Sequence, residues 1–383
     1  MTSIRRWLAP LAFALALLAA LPRLLPPAAP RFATPAIATA VTPEPTFSAR
    51  LLANPQPSAH AATLAELPDG RIVTAWFAGS REGARDVAIL MASFDGRTWS
   101  EARPVVSRAQ AQRDSARLVR KLGNPVLATD AAGRLHLWYV TVGYGGWAGS
   151  AINHATSSDG GQSWNTATRV ITSPFWNLST LVRTPPLPLA DGGWGLPAYH
   201  EFAAKRSEWL RLDAEGRVID KARLPGSQQT LQPAVAALDA TRALALMRDT
   251  GPANRIRAAT TGDGGSGWLD AGVTALPNPN ASVALLHIAD GRLLLAYNPQ
   301  TANRNKLALA LSNDDGKHWS APRLVEDATG GEEFSYPALL QARDGTIHLA
   351  YTWQRKAIKH LAFTPAWLDD KASPVATVVE AKP

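Results

Sequence analysis

The residues of this chain that could do chemistry stand at similar places in six segments. In each segment a polar residue directly precedes a proline, or in two cases an alanine, where an apolar run begins. The six residues are His60, Asn124, Thr184, Gln232, Asn280 and Tyr336. Their imidazole, amide and hydroxyl groups can form hydrogen bonds with a bound substrate. A meeting of these six positions would form a binding site.

Charged and aromatic residues follow or flank the same apolar runs. The candidates are the carboxylates Asp86 and Glu201, the cations Arg81, Arg248 and Arg355, and the further binding residues His200, Asn298 and Trp353. Guanidinium groups bind carboxylates through paired hydrogen bonds, and an embedded acid can protonate a leaving oxygen. In the second segment Tyr144 and Trp147 offer flat rings on which a sugar can stack. This combination predicts a cationic pocket for an acidic substrate.

Turn-and-strand units that repeat along the chain must position these residues. Each unit has a turn followed by an alternating apolar strand, and the turn markers are Gly70, Gly133, Gly192, Arg242, Gly291 and Gly345. Their spacings of 63, 59, 50, 49 and 54 residues define six units. A period of this size with several short strands per unit predicts an all-β fold, a six-bladed β-propeller. We expect residues 46–53 to complete the sixth blade and close the ring.

A second repeat, Ser/Thr-x-Asp-x-Gly-x-x-Trp, supports this fold. It ends at Trp164, Trp268 and Trp319, and a form one residue shorter ends at Trp99. The Asp carboxylate can accept backbone N–H groups within the turn, and Gly supplies the positive φ. We expect these Asp-box turns to be hairpin tips whose Trp rings pack between neighbouring sheets. Strand starts and second-strand loops then share the opposite end, where the candidate residues should converge at the mouth of the central channel.

Composition narrows the classes of function. The chain has 383 residues, no Cys and a formal net charge of +8. The absence of Cys excludes disulfides and thiolate metal sites within this sequence. The cations are scattered rather than clustered, which argues against nucleic-acid binding and favours attraction for an acidic substrate or an anionic envelope surface. We expect no cofactor and no metal, and the sequence leaves the oligomeric state open.

The first 40 residues have the pattern of a targeting segment. Arg5 and Arg6 precede the apolar run 7–21, and a Pro-rich stretch and Ala-Ile-Ala-Thr-Ala follow. This pattern predicts a signal peptide cleaved near residues 38–40, or a membrane anchor with a Pro-rich tether. The protein would then be exported and be periplasmic, membrane-anchored facing the periplasm, or secreted. We expect the propeller over residues 41–370 and a tail over 371–383.

The chain resembles the sialidase (neuraminidase) superfamily. The four Asp-box turns and the six-unit arrangement carry this resemblance over nearly the whole mature chain. The segments that resemble bacterial sialidase-like BNR-repeat proteins are WFAGSREGARDVAI, NPVL, YHEF, LPNPNAS, RLLLAYNP, EFSYPALLQARDG and YTWQRKAIKH. The resemblance implies an exo-glycosidase that removes a terminal acidic sugar, with Tyr336 as nucleophile, Glu201 as its partner and Asp86 as acid/base.

The same resemblance implies that arginines bind the substrate carboxylate. Arg248 and Arg355 would be two of the three, with Arg81 or Arg183 as the third. The first-blade motif of the superfamily, Phe/Tyr-Arg-Ile-Pro, is replaced here by His60-Ala-Ala-Thr.

Two other functions remain open. One is an acidic-polysaccharide lyase on the same propeller, in which Tyr336 and a histidine, His60 or His200, move protons after an arginine neutralises a uronate. The other is a propeller that binds a glycan without changing it. An unsaturated product would indicate the lyase, and binding without a product would indicate the third function.

Overall fold

The computed structural model describes residues 10–15, 18, 29–33, 44–173, 177–226 and 228–370. Six antiparallel sheets of four or five strands carry the fold. Strand β1 (Phe47–Leu51) comes first in the chain. The first sheet contains β2 (Ser58–Glu66), β3 (Ile72–Gly79), β4 (Ala88–Phe94) and β5 (Arg103–Ser107). The second contains β6 (Lys121–Thr129), β7 (Leu135–Val142), β8 (Ser150–Ser157) and β9 (Thr168–Arg169).

The remaining sheets follow in chain order. The third contains β10 (Leu181–Val182), β11 (Leu187–Pro188), β12 (Trp194–His200), β13 (Arg206–Leu212) and β14 (Val218–Arg223). The fourth contains β15 (Thr230–Ala237), β16 (Ala243–Asp249), β17 (Arg255–Thr261) and β18 (Leu269–Pro277). The fifth contains β19 (Ala284–His287), β20 (Leu293–Tyr297), β21 (Lys306–Ser312) and β22 (Arg323–Asp327). The sixth contains β23 (Phe334–Gln341), β24 (Ile347–Trp353) and β25 (Ala357–Phe363).

Strand β1 completes the sixth sheet and closes the ring. It pairs antiparallel with β25, with Phe47 opposite Phe363. The prediction for residues 46–53 is therefore confirmed, and the fold is a six-bladed β-propeller as predicted. The short helices α1 (Arg108–Ser115) and α2 (Pro365–Asp369) lie outside the sheets.

Burial along the strands reflects the packing of each sheet between two neighbours. Every residue of β3 and β7 is buried, whereas the outermost strand β14 is largely exposed. Inner strands are covered on both faces, so they read as continuous apolar runs, and an outer strand needs fewer apolar residues. The apolar core is thus divided among the spaces between successive blades.

The four Asp-Gly-Trp turns have the hydrogen bonds expected of them. In one turn the Asp159 carboxylate accepts the Ser163 backbone N–H at 2.9 Å. The Trp99 ring lies edge-on to His360 of the sixth sheet, with 5.0 Å between centroids. The Trp268 ring meets Trp209 of the third sheet at 5.5 Å. Each ring therefore packs against the preceding blade, as predicted.

A short N-terminal segment also packs on the propeller. Phe32 is 3% exposed, and its backbone N–H donates to the Ala240 carbonyl at 2.8 Å. It forms an antiparallel bridge with Leu189, and its ring lies 6.1 Å from that of Trp209. Residues 29–33 thus join the third and fourth blades at the end that carries the Asp-Gly turns.

Among the described residues no helix is long and apolar enough to cross a membrane. Most of the predicted signal segment, its cleavage site near residues 38–40 and the predicted tail 371–383 lie outside the described residues.

Candidate functional site

The innermost strands place their polar residues by a shared break in register. In β6, β15 and β23 a residue-proline pair drops out of the ladder with the neighbouring strand. Asn124, Gln232 and Tyr336 take positive φ there, at 42°, 52° and 54°, and Asn280 takes 53°. Proline has no N–H for the ladder, and a bulge redirects a side chain. Such backbone is unfavourable for non-glycine residues and is concentrated at functional sites.

The first blade departs from the predicted alignment by one residue. There the unpaired positions are Ala61, with φ 58°, and Ala62, while His60 still pairs with Phe77. The alignment of His60 with Asn124 and its equivalents was therefore wrong, because the bulge begins one residue later. His60 nevertheless reaches the site: its ring is 2% exposed and lies 4.4 Å from the Tyr336 ring.

Arg248, at the end of β16, connects three of the predicted residues. Its Nε donates to Asn280 Oδ1 at 2.6 Å. Its Nη1 donates to Gln232 Oε1 at 3.1 Å and to the Tyr336 hydroxyl at 3.3 Å. Residues from three blades therefore meet at one guanidinium group.

Tyr199 extends this network to the second blade. Its hydroxyl accepts from Asn124 Nδ2 at 2.9 Å and from Gln232 Nε2 at 3.3 Å. Burial raises the pKa of Tyr199, so it remains a neutral phenol. We did not predict this residue, because in the buried strand β12 it looks like a core ring. The local signal was its position two residues before the candidate Glu201.

Tyr336 is surrounded by cations. The guanidinium carbons of Arg183 and Arg304 lie 5.3 Å and 5.8 Å from the centre of its ring. Burial favours the neutral phenol, but the charges of Arg248 and Arg304 outweigh burial and lower the pKa of Tyr336. The site therefore stabilises the phenolate of this one tyrosine, whereas it stabilises the phenol of Tyr199.

Arg183 supports Tyr336 rather than facing solvent. It is 1% exposed, and its Nη2 donates to the backbone carbonyls of Tyr336 and Pro337 at 2.5 Å and 3.2 Å. Burial lowers its pKa to about 10. The structure thus places Arg183 beneath the tyrosine, where it holds the bulge.

A second network of ion pairs lies beside Tyr336. Arg355 donates to Glu333 at 2.6 Å and to Glu82 at 2.8 Å. Arg304 donates to Glu333 at 3.2 Å. Burial alone would raise the pKa of Glu333, but the hydrogen bonds from Arg355 and Ser335 keep it well below its usual range. Glu333 is therefore ionised, and neither Glu82 nor Glu333 was among the predicted catalytic or substrate-binding residues.

This network borders a cavity of about 430 Å³, which we call the inner cavity. Arg81, Glu82, Lys121, Trp147 and Arg355 line it together with Ser58 and Gly83. Three cations face one carboxylate, and an aromatic ring forms a wall. The inner cavity therefore fits a ring-shaped anion.

The two predicted catalytic carboxylates differ in their surroundings. Burial raises the pKa of Glu201, despite the opposing charges of Lys205 and Arg248. Asp86 is exposed, and its oxygens accept from the backbone N–H and the hydroxyl of Ser80, both at 2.9 Å. These bonds lower the pKa of Asp86. Glu201 therefore keeps its proton to higher pH than an exposed carboxylate would, whereas Asp86 holds its own loop through its bonds to Ser80.

Three predicted binding residues lie away from Tyr336. His200 lines a separate cavity on the third blade. Asn298 is buried and donates to the carbonyls of Lys306 and Phe334 at 2.6 Å and 2.8 Å. Trp353 packs on the apolar core between the fifth and sixth blades. The structure does not bring these three side chains to the network of Arg248.

Comparison with known proteins agrees with this fold. The family model described as BNR repeat-like domain matches residues 70–349. Hadza microbial sialidase Hz136 superposes with a TM-score of 0.68 at 18% identity, covering 80% of this chain and 66% of that protein. A Dyadobacter fermentans protein of unknown function superposes with a TM-score of 0.66 at 14% identity, covering 83% of this chain and 98% of that protein. The intramolecular trans-sialidase from Ruminococcus gnavus superposes with a TM-score of 0.64 at 13% identity, covering 82% of this chain and 96% of that protein. Among curated proteins no relative matches the sequence.

Proposed function

This chain belongs to the family of BNR repeat-like domain proteins, and from that premise we propose that it is a sialidase-type glycoside hydrolase acting on an acidic sugar. The observation that carries the proposal is the hydrogen bond from Arg248 Nη1 to the Tyr336 hydroxyl, at 3.3 Å. It stabilises a phenolate at the axis of the propeller, where Arg183 and Arg304 flank the ring. An ionised phenol is the nucleophile that this chemistry requires.

The inner cavity holds the acidic sugar beside that phenolate. Arg81 and Lys121 have no ion pair among the described side chains, so they are available to the substrate carboxylate. Arg355 is already paired with Glu82 and Glu333, and its positive charge adds to the attraction for the substrate carboxylate. Trp147 packs over Gly123, where a Cβ would lie 2.8 Å from the indole, and its other side can stack on the sugar.

The reaction proceeds in two displacements. The Tyr336 oxygen attacks the anomeric carbon, the glycosidic C–O bond breaks, and the leaving oxygen takes the proton of Glu201. Water then attacks the glycosyl-tyrosine, gives a proton to Glu201 and releases the sugar. Glu201 suits both steps because burial raises its pKa. In this proposal Glu201 replaces Asp86 as acid/base, since Asp86 is held by Ser80 with a lowered pKa.

The test is incubation of the purified protein with sialosides and acidic polysaccharides between pH 4 and pH 8. Mass spectrometry should detect a free acidic sugar from wild type and none from Tyr336→Phe. The absence of any released sugar across this range would count decisively against the hydrolase.

The environment of His60 favours a second function, an acidic-polysaccharide lyase. Both ring nitrogens lack a hydrogen-bond partner among the described residues, and the ring touches Tyr336. Burial lowers the pKa of His60 to about 3, with a further contribution from Arg355, so the imidazole is neutral. In this reaction the Tyr336 phenolate removes the proton next to the uronate carboxylate. A carbon–carbon double bond forms as the glycosidic C–O bond breaks, and the leaving oxygen takes the proton back from the Tyr336 phenol. An ultraviolet-absorbing unsaturated product identifies the lyase, and a saturated reducing sugar identifies the hydrolase.

A further inference from the structure

Two more cavities lie on the same end of the propeller as the inner cavity. The middle cavity, about 510 Å³, is lined by residues of the second and third blades. The outer cavity, about 290 Å³, is lined by residues of the third blade. The 3₁₀ turn Gly146–Gly149 separates the first two, with Trp147 on the inner side and Ala148 on the middle side. Leu178 lines both the middle and the outer cavity.

The middle and outer cavities are strongly cationic. Arg117 and Arg169 line the middle cavity, which has no carboxylate among its lining residues. Arg206, Lys221 and Arg223 line the outer cavity against the single carboxylate Glu208. Arg117 and Arg223 are exposed, and no ion pair or hydrogen bond joins their side chains to any residue that the structure describes. Their charge is therefore available to an anionic ligand.

Exposed rings accompany these cations. Tyr144 is 70% exposed and Phe202 is 59% exposed, and both line the middle cavity. Scattered exposed rings need no explanation, but rings that line a cavity with cations are typical of glycan sites. An apolar partner would leave the arginines unpaired, and a small anion would not use the rings.

We propose that the three cavities form one track for a chain of acidic sugars, with the reacting sugar in the inner cavity and the following sugars in the middle and outer cavities. The inference rests on the proposed function and narrows its substrate to an acidic oligosaccharide or polysaccharide. The track ends at β14, the outermost strand of the third blade. From the inner to the outer strand a sheet of this size spans roughly 15 Å, which several sugar units are needed to cover.

Binding measurements in the Tyr336→Phe background test the track without turnover. The probes are oligosialic acid, oligogalacturonate and oligomannuronate of one to eight units. In at least one series the affinity should rise at least about tenfold between one and six units, since each added unit meets further cations. Arg117→Ala with Arg223→Ala should remove most of that gain and leave the affinity for a single unit unchanged.

The matched control is Arg97→Ala with Lys317→Ala, which changes the charge equally at exposed turns of the opposite end. This control should retain the full dependence on length. An affinity independent of length, or an equal loss in both double variants, overturns the track. Equal binding of an uncharged maltohexaose, or tighter binding of single-stranded DNA, overturns its assignment to acidic glycans. Length-dependent binding by a wild-type protein that releases no product would support the track and reject the hydrolase.

Discussion

Arg248 and Tyr336 are 88 residues apart, yet the guanidinium of one donates a hydrogen bond to the hydroxyl of the other at 3.3 Å. The contact joins the fourth blade to the sixth across the mouth of the channel. Because it favours the phenolate, it supports the role of nucleophile or base that we propose for Tyr336. Both proposed reactions depend on it.

Replacing Tyr336 by Phe should lower turnover by at least about 10³-fold, because the attacking oxygen is lost. The ring and its contacts with His60 and Arg183 remain, so the melting temperature should change by less than about 3 °C. Product release and thermal unfolding, measured on the same preparation, check this. A variant that retains more than a tenth of the wild-type rate would show that Tyr336 is not the nucleophile.

Replacing Arg248 by Gln should raise the pKa of Tyr336 by removing its hydrogen bond and its nearest positive charge. If the phenolate reacts, the acid limb of the kcat/KM profile must move to higher pH. We expect a loss of roughly 10² in rate at neutral pH. Arg97→Gln, at the opposite end, should leave the profile unchanged. If the acid limb does not move, a group other than Tyr336 causes it.

Two buried histidine pairs predict acid-sensitive stability. His136 Nδ1 and His154 Nε2 are 3.0 Å apart, and His348 Nδ1 and His360 Nε2 are 2.9 Å apart. In each pair one ring nitrogen donates a proton to the other. If both rings were protonated, two N–H donors would face each other and the hydrogen bond would be lost. Burial lowers the pKa of His154 to about 3 and that of His348 to about 4, from 6.5 in the unfolded chain.

Since the unfolded state then binds more protons, stability is complete above pH 6.5 and falls as the pH decreases toward 4. For each of these two histidines, the free energy of unfolding should fall by on the order of 1–2 kcal/mol between pH 6.5 and pH 5. Urea unfolding of wild type and of His348→Gln at these two pH values checks this, because the variant should lose less stability over the interval. The exposed His318 provides the control, and a His318→Gln variant that loses equally little would refute this origin of the effect.

The burial of Phe32 against the propeller predicts that residues 29–33 stabilise the fold. Its side chain is 3% exposed between the third and fourth blades, so Phe32→Ala should lower the free energy of unfolding by about 3 kcal/mol. Phe202→Ala, at a ring that is 59% exposed, should change it by less than about 0.5 kcal/mol. Chemical denaturation of the full chain measures both. Equal stabilities would mean that residues 29–33 contribute little to the folded state.

Much of the fold could be predicted because its determinants are local. An Asp and a Gly close each tight turn through bonds within a few residues, as Asp159 does, and the period of these turns counts the blades. Strands that are covered on both faces appear in the sequence as continuous apolar runs, so they could be recognised without knowing their neighbours. The strand that closes the ring was predictable because the last segment of the chain supplies only three strands of a four-stranded blade, and residues 46–53 stand before the first innermost strand.

The candidate site was predictable only in part. Residue-proline pairs marked the bulges of Asn124, Gln232 and Tyr336, since proline cannot join the ladder. The first blade has no proline there, so its register was misread by one residue. Tyr199 was missed because a buried phenol that hydrogen-bonds to another blade has the same local sequence as a core ring.

By itself, the sequence determined the number of blades, the turns and the end of the propeller that carries the polar residues, because turn chemistry and strand periodicity act over a few residues. Only the tertiary structure decided that Arg248 reaches Tyr336, that Arg183 lies beneath it and that Asp86 bonds to Ser80. Those contacts depend on ångström-scale distances between blades far apart in the chain. Hydrogen bonds and charge interactions change steeply over such distances, and no local pattern encodes them.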